Sequence, residues 1–206
     1  AARLATLHPP LASRIDVDPM GIVVPVDAAQ APSAPPLRVL SVGRLVPRKG
    51  VMTLLEALHA TPEVTLTVVG DGPARARLEA AARPLGAQVR FFGEASPSEV
   101  AAQIAGHHVI AAPPLPYPRG GEGTPTAVLE AMAAGLVPVA SRTGGLSDLL
   151  VTGEDGITVP HGDPAALAAA LRWLSEHPDE RQAMARRARL RASPQAWALL
   201  AARVEA

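Results

Sequence analysis

"LRVLSVGRLVPRKGVMTLLEALHATPEVTLTVVG", residues 37 to 70, decides the fold. It opens with a run that is apolar on both faces (37–45), which reads as a buried strand. "GVMTLLEALHA" (50–60) carries the spacing of a helix, and "VTLTVVG" (64–70) is a second strand. Strand, helix and strand joined by short connections imply parallel pairing, because a parallel neighbour can be reached only through a crossover. The same rhythm continues outward. "PARARLEAAARPLG" (73–86) is read as a helix starting at Pro73 and ending at Gly86. "QVRFFG" (88–93) is a third strand, and "SPSEVAAQIAG" (96–106) a helix with Ser96 and Glu99 spaced as a capping box around Pro97. "HVIAAP" (108–113), "VPVAS" (137–141) and "GITVP" (156–160) complete six strands, and from Gly162 onward the pattern is helical with breaks near Pro178 and at 193–195. The fold class predicted is α/β, a doubly wound parallel sheet of Rossmann-like type. Its strands should lack a polar face because helices cover both sides.

Composition narrows the function. The 206 residues carry a formal net charge of zero and 48% apolar residues, which excludes a disordered chain and argues against a nucleic-acid partner. There is no cysteine, so neither a disulfide framework nor a thiolate metal site is available, and a cytoplasmic location is compatible. No apolar run is long enough to span a bilayer, which leaves peripheral association at the inner face of a membrane open. Residues 1–36 break the strand–helix rhythm and end in the linker "AAQAPSAPP".

Ligands of open α/β sheets sit at the carboxyl ends of the strands, so each motif is read there. "GRLVPRKG" (43–50) puts Arg44 and Lys49 on one loop and opens a helix at Gly50, a combination suited to an anion. Either that or a solvated basic loop satisfies the pattern. "VVGDGP" (68–73) brings Gly70 to a turn where backbone can approach a ligand. "RGGEGTPTAVLE" (119–130) is the most informative piece. Thr124 is expected to cap its helix and Pro125 to begin it, leaving the N–H groups of Thr126 and Ala127 for a phosphate. Glu122 precedes the helix and Glu130 lies within it, eight positions later, in an apolar stretch that reads as buried. Phosphates take N–H groups and cations, and ribose hydroxyls take a carboxylate acceptor, so a sugar nucleotide fits. A surface acid at Glu122 and a solvent-reaching side chain at Glu130 fit the same residues. His107 and His108 stand at a strand entry without metal-ligand spacing and are read as structural or surface residues. No GxGxxG follows the first strand, which argues against a nicotinamide dehydrogenase.

Taken in order, "VGRLVPRKGVMTLLEAL", "TVVGDGP", "VRFFGEASPSEV", "EGTPTAVLEAMAAGLVPVAS", "TGGLSDLL" and "GEDGITVPHGDPAALAAAL" resemble the retaining nucleotide-sugar glycosyltransferases of GT-B architecture, family 4 (glycosyl transferases group 1). The early "RIDVDPMGIVVPVD" is similar to the segment joining that family's two domains. The resemblance implies the C-terminal, donor-binding half of a two-domain enzyme. Residues 1–36 would be connector and remnant of the N-terminal domain, 37–192 the nucleotide-sugar-binding domain, and 193–206 a helix returning toward the N-terminal, acceptor-binding domain. It further implies a UDP-, GDP- or ADP-sugar donor, no metal or other cofactor, and no transfer by this chain alone. Arg44 and Lys49 would grip the diphosphate, Glu122 would face the transferred sugar, and Glu130 would accept from the ribose. Gly43, Gly70 and the backbone of Gly123, Thr124, Pro125, Thr126 and Ala127 would hold sugar and phosphate, with Phe92 and Gly93 beside the base. Thr124-Pro125 replaces the Phe-Gly common in the family, and His108 stands where Asp is common. A binding-only module, a GT-B sugar-nucleotide epimerase and a phosphorylase-like protein are the competing readings.

Overall fold

The computed structural model describes residues 21–22, 36–116, 125–143 and 145–193. Six strands form one parallel sheet: β1 (Leu37–Val42), β2 (Val64–Val69), β3 (Val89–Gly93), β4 (Val109–Ala112), β5 (Val137–Ser141) and β6 (Ile157–Val159), in the order β3-β2-β1-β4-β5-β6. The register runs Leu37 opposite Val64 to Val42 opposite Val69, and Val109 opposite Val137 to Ala112 opposite Ala140. The strand order reverses between β1 and β4, which is where a doubly wound sheet opens a crevice.

Helices α1 (Val51–Leu58), α2 (Arg75–Ala82), α3 (Pro97–Ala105), α4 (Thr126–Ala133) and α5 (Gly145–Leu149) connect the strands, and α6 (Pro164–Glu176) and α7 (Pro178–Ala192) follow β6. Alternate strand residues feed two cores. Val39, Val109 and Val139 meet Leu54, Leu58, Leu167 and Leu171 on one face. Leu40, Ile110 and Ala140 meet Leu129, Met132, Ala188 and Ala192 on the other. Ile22, from the early segment outside the strand–helix rhythm, is buried in that second core. Alanines on α4 and α7 let the two helices approach closely, as the alanine-rich composition requires.

The capping box stands as the sequence predicts it: Ser96 Oγ accepts from the Glu99 N–H, and the Glu99 carboxylate accepts from the Ser96 N–H. Four expectations are corrected. The helix expected over 73–86 is regular only from Arg75 to Ala82, then tightens into a 3-10 turn through Gln88. Pro84 supplies no N–H to continue the ladder, and Gly86 turns to φ 55. The helix expected from Gly50 begins at Val51, because Gly50 is a left-handed N-cap with φ 71 that also ends a 3-10 turn over Pro47–Lys49. Thr126, not Pro125, begins α4. Pro125 is its extended N-cap, and its carbonyl accepts from Val128 and Leu129. Finally, β2 does carry polar groups: Thr65 and Thr67 alternate along it half-buried, with their hydroxyls engaged by the Leu37 carbonyl and the His107 ring.

His107 and His108 are structural. His107 Nδ1 lies on the Gln103 carbonyl, which can only accept, so that nitrogen carries the proton and Nε2 accepts from Thr67 at 2.9 Å. Burial holds this imidazole's pKa below the ordinary histidine value. His108 Nδ1 accepts the Arg38 N–H at 3.0 Å, extending the β1–β4 ladder by a side-chain contact. Among the described residues no helix is long and apolar enough to cross a membrane.

Candidate functional site

The crevice lies where the sheet order predicts it. A depression between the carboxyl ends of β1 and β4 is lined by Ser41, Gly43, Lys49, Val51, Pro125 and Val128, together with the apolar residues at the end of β4. Two helices therefore begin at this one depression. Val51 is the first residue of α1 and Pro125 the N-cap of α4. Among the described residues neither helix has a side-chain cap, and no hydrogen bond uses the N–H of Thr126 or Ala127. Two sets of outward-pointing N–H groups and a lysine at one place favour an anion.

Glycines make this geometry possible. A Cβ on Gly50 would lie 1.7 Å from the Pro113 carbonyl oxygen, so the start of α1 is pressed against the end of β4. A Cβ on Gly70 would lie 2.1 Å from the Gly43 carbonyl oxygen. The Gly43 N–H donates to the Val69 carbonyl at 2.9 Å, and the Gly70 N–H donates to the Gly93 carbonyl at 2.7 Å. Gly43, Gly70 and Gly93 thus form a continuous backbone floor across the ends of β1, β2 and β3. The Lys49 chain folds over one end of it, with Nζ 3.7 Å from where a Gly43 Cβ would stand.

Of the residues singled out in the sequence, Gly43, Lys49 and Pro125 meet in the depression, with Thr126 and Ala127 directly behind Pro125. Arg44 is exposed on the adjoining loop. The apolar stretch around Glu130 is buried as its composition suggests, with Leu129 and Ala131 fully buried, and Glu130 between them is half-buried. No hydrogen bond or ion pair to its carboxylate is formed among the described residues, and it does not line the depression. Phe92 packs its half-buried ring against the second core, with the Arg90 guanidinium 5.4 Å above it. Glu122, Gly123 and Thr124 lie outside the described residues.

Three features escaped the sequence reading. Ser41 lines the depression at the last turn of β1, and only its position at a strand end signals it. Asp155 is buried to 2% exposure, where it accepts from the Val151 N–H at 2.8 Å and from Arg191. That ties the turn before β6 to α7, across a sequence separation no local pattern reveals. Arg75 is held by Asp71 and Glu79 beside the glycine floor. Its guanidinium, with the Gly72 N–H, keeps the Asp71 carboxyl below the usual carboxylate range. Among the described residues, no three His, Asp or Glu side chains are grouped so as to hold a metal ion.

The family model for "Glycosyl transferases group 1" matches residues 27–191. The chain belongs to that family. As a group 1 glycosyl transferase domain it is 34% identical over 154 residues to D-rhamnosyltransferase WbpZ of Pseudomonas aeruginosa, covering 74% of this chain and 39% of that protein. The sucrose-phosphate synthase of Thermosynechococcus elongatus superposes with a TM-score of 0.79 at 28% identity, over 91% of this chain and 50% of that one. HepE of Anabaena, solved in complex with UDP, gives a TM-score of 0.68 at 27% identity, over 77% and 44%. These neighbours share the parallel Rossmann-like layout of a GT-B glycosyltransferase domain. The group 1 chain spans about two fifths of the length of the curated relatives it matches.

Proposed function

We propose that this chain is the donor-binding, C-terminal domain of a retaining, family 4 glycosyltransferase, and that its ligand is a nucleoside-diphosphate sugar. The convergence of two uncapped helix starts and Lys49 on one depression carries this reading, since that set of groups stabilises a diphosphate. The UDP bound to HepE supports the same ligand class. In this reading Lys49 and Arg44 hold the diphosphate and offset the charge that grows on it as the sugar departs. The N–H groups of Thr126 and Ala127 add fixed dipoles aimed at the same oxygens. Glu130 accepts from the ribose, and Glu122 faces the sugar. The donor oxygens meet cations and backbone donors contributed by this chain, so no metal or other cofactor is needed to hold them. The acceptor and any transfer belong to an N-terminal domain joined through residues 1–36, with 193–206 returning to it. The whole enzyme works on the cytoplasmic side, at or near the inner face of the membrane.

The test is calorimetry of the purified chain against UDP, GDP and ADP. One of the three should bind without added metal, and Lys49→Ala should lower its affinity by about tenfold to a hundredfold, the loss of one charge-assisted contact. The matching nucleoside should bind both proteins equally. A chain that binds none of the three diphosphates would overturn the proposal.

A further inference from the structure

Arg75 stands at the start of α2 with two of its guanidinium nitrogens, Nε and Nη1, engaged. Nη1 donates to Asp71 Oδ2 at 2.6 Å and Nε donates to Glu79 Oε1 at 2.7 Å. Exposed pairs four residues apart add little to stability. What this double clamp does achieve is orientation: a long side chain, a third exposed, is restrained in one place. That place is against the glycine floor. Nη1 lies 3.5 Å from where a Cβ on Gly93 would stand, in ordinary van der Waals reach of the bare backbone that ends β3. The diphosphate depression is at the end of β1, two strand spacings or about 10 Å away. Between them lie Gly43 and Gly70, without side chains. That separation is comparable to the distance from diphosphate to base in a nucleoside diphosphate lying along the floor.

The chemistry of the clamp narrows what Arg75 can offer. Its positive charge is flanked by two carboxylates, so the cluster as a whole does not attract a second phosphate. Nε and one hydrogen of Nη1 are engaged by these carboxylates, which leaves three of the five N–H donors in the plane. The flat face of the guanidinium remains, and such faces stack on planar heterocycles. We propose that Arg75 is the nucleobase platform of this domain, a residue that sets affinity for the base while Lys49 and Arg44 set affinity for the diphosphate. The assignment rests on the donor-site reading and adds to it the residue that holds the base.

The test compares the parent chain with Arg75→Ala and Arg75→Lys by calorimetry, using UDP, GDP, ADP and inorganic pyrophosphate, with a melting curve for each protein. For the diphosphate the parent binds most tightly, both variants should lose on the order of tenfold in affinity. Pyrophosphate affinity and melting temperature should hold. Lysine keeps the charge but has no plane, so parental affinity in Arg75→Lys would overturn the platform. An unchanged Arg75→Ala, or an equal loss toward pyrophosphate, would overturn it too. A parent chain that binds none of the diphosphates would instead remove the donor-site reading beneath it.

Discussion

Gly50→Ala is the sharpest test of how the depression is built. Two costs add at this position. The first is conformational: φ is +71, and an L-residue held in that region costs roughly 1–2 kcal/mol. The second is steric. The new Cβ would stand 1.7 Å from the Pro113 carbonyl oxygen, a backbone atom at the end of β4 that no rotamer change can move. Overpacking of this kind adds about 1–3 kcal/mol. Gly153→Ala separates the two, because Gly153 has φ +85 and nothing within 4 Å of its Cβ position. Thermal unfolding of both variants is the assay. With about 2–4 °C per kcal/mol at this chain length, Gly153→Ala should lower Tm by a few degrees. Gly50→Ala, with both costs, should lower it by roughly 4–20 °C, and by more than Gly153→Ala. In whatever fraction stays folded, α1 and β4 must part, so affinity for the diphosphate should fall as well. Equal Tm losses in the two variants would refute the close approach of α1 to β4, and with it the shape assigned to the crevice.

Two further outcomes follow from buried groups. The His107 imidazole is held neutral, with its pKa depressed by burial, while the unfolded chain has an ordinary histidine. The unfolded state therefore binds more protons below about pH 6.5, and stability should drop as pH falls through that value toward the lower folded pKa. In His107→Gln the part of the denaturation midpoint's pH dependence below about pH 6.5 that belongs to this residue should vanish; an unaltered profile would show that it does not titrate on unfolding. Asp155→Ala strands the Val151 N–H and removes the Arg191 partner from a nearly sealed site, so it should cost about 2–4 kcal/mol in urea unfolding, and a cost under 0.5 kcal/mol would show that the tie to α7 contributes nothing.

The order and type of the elements were legible because each is announced locally. The runs of β1, β4 and β5, with apolar residues toward both faces, mark a sheet covered on both sides, and Ser96-Pro97 and Asp163-Pro164 mark the starts of α3 and α6. Boundaries failed where proline or glycine geometry decides between neighbouring positions. Pro84 cut α2 short, and Pro125 stood outside α4 because its extended ψ of 122 places it before the helix, not in it. In the site, the loop with Lys49 and the helix behind Pro125 could be read from their own residues. Their meeting could not, since it depends on the β1–β4 pairing, with Val39 opposite Val109, and on Gly50 touching Pro113. The same applies to Asp155 and Arg191, and to the glycine floor, whose members lie on three separate strand ends. The burial of the stretch around Glu130 was legible from its apolar residues, whereas the partial exposure of Glu130 within it depends on how the helix packs.

Glu130→Gln, measured for both melting temperature and affinity toward UDP, GDP and ADP, tests the central claim most directly. Gln keeps the shape and one acceptor oxygen, but its amide nitrogen donates and cannot accept, and the negative charge is lost. Glu130 is half-buried and its carboxylate has no hydrogen-bonding or ionic partner among the described residues, so the fold should not depend on it. The account predicts a Tm within a degree or two of the parent. It also predicts a loss of roughly 1–3 kcal/mol in affinity for the diphosphate the parent prefers. A lowered Tm with parental affinity would make Glu130 a structural acid and contradict the donor-site account.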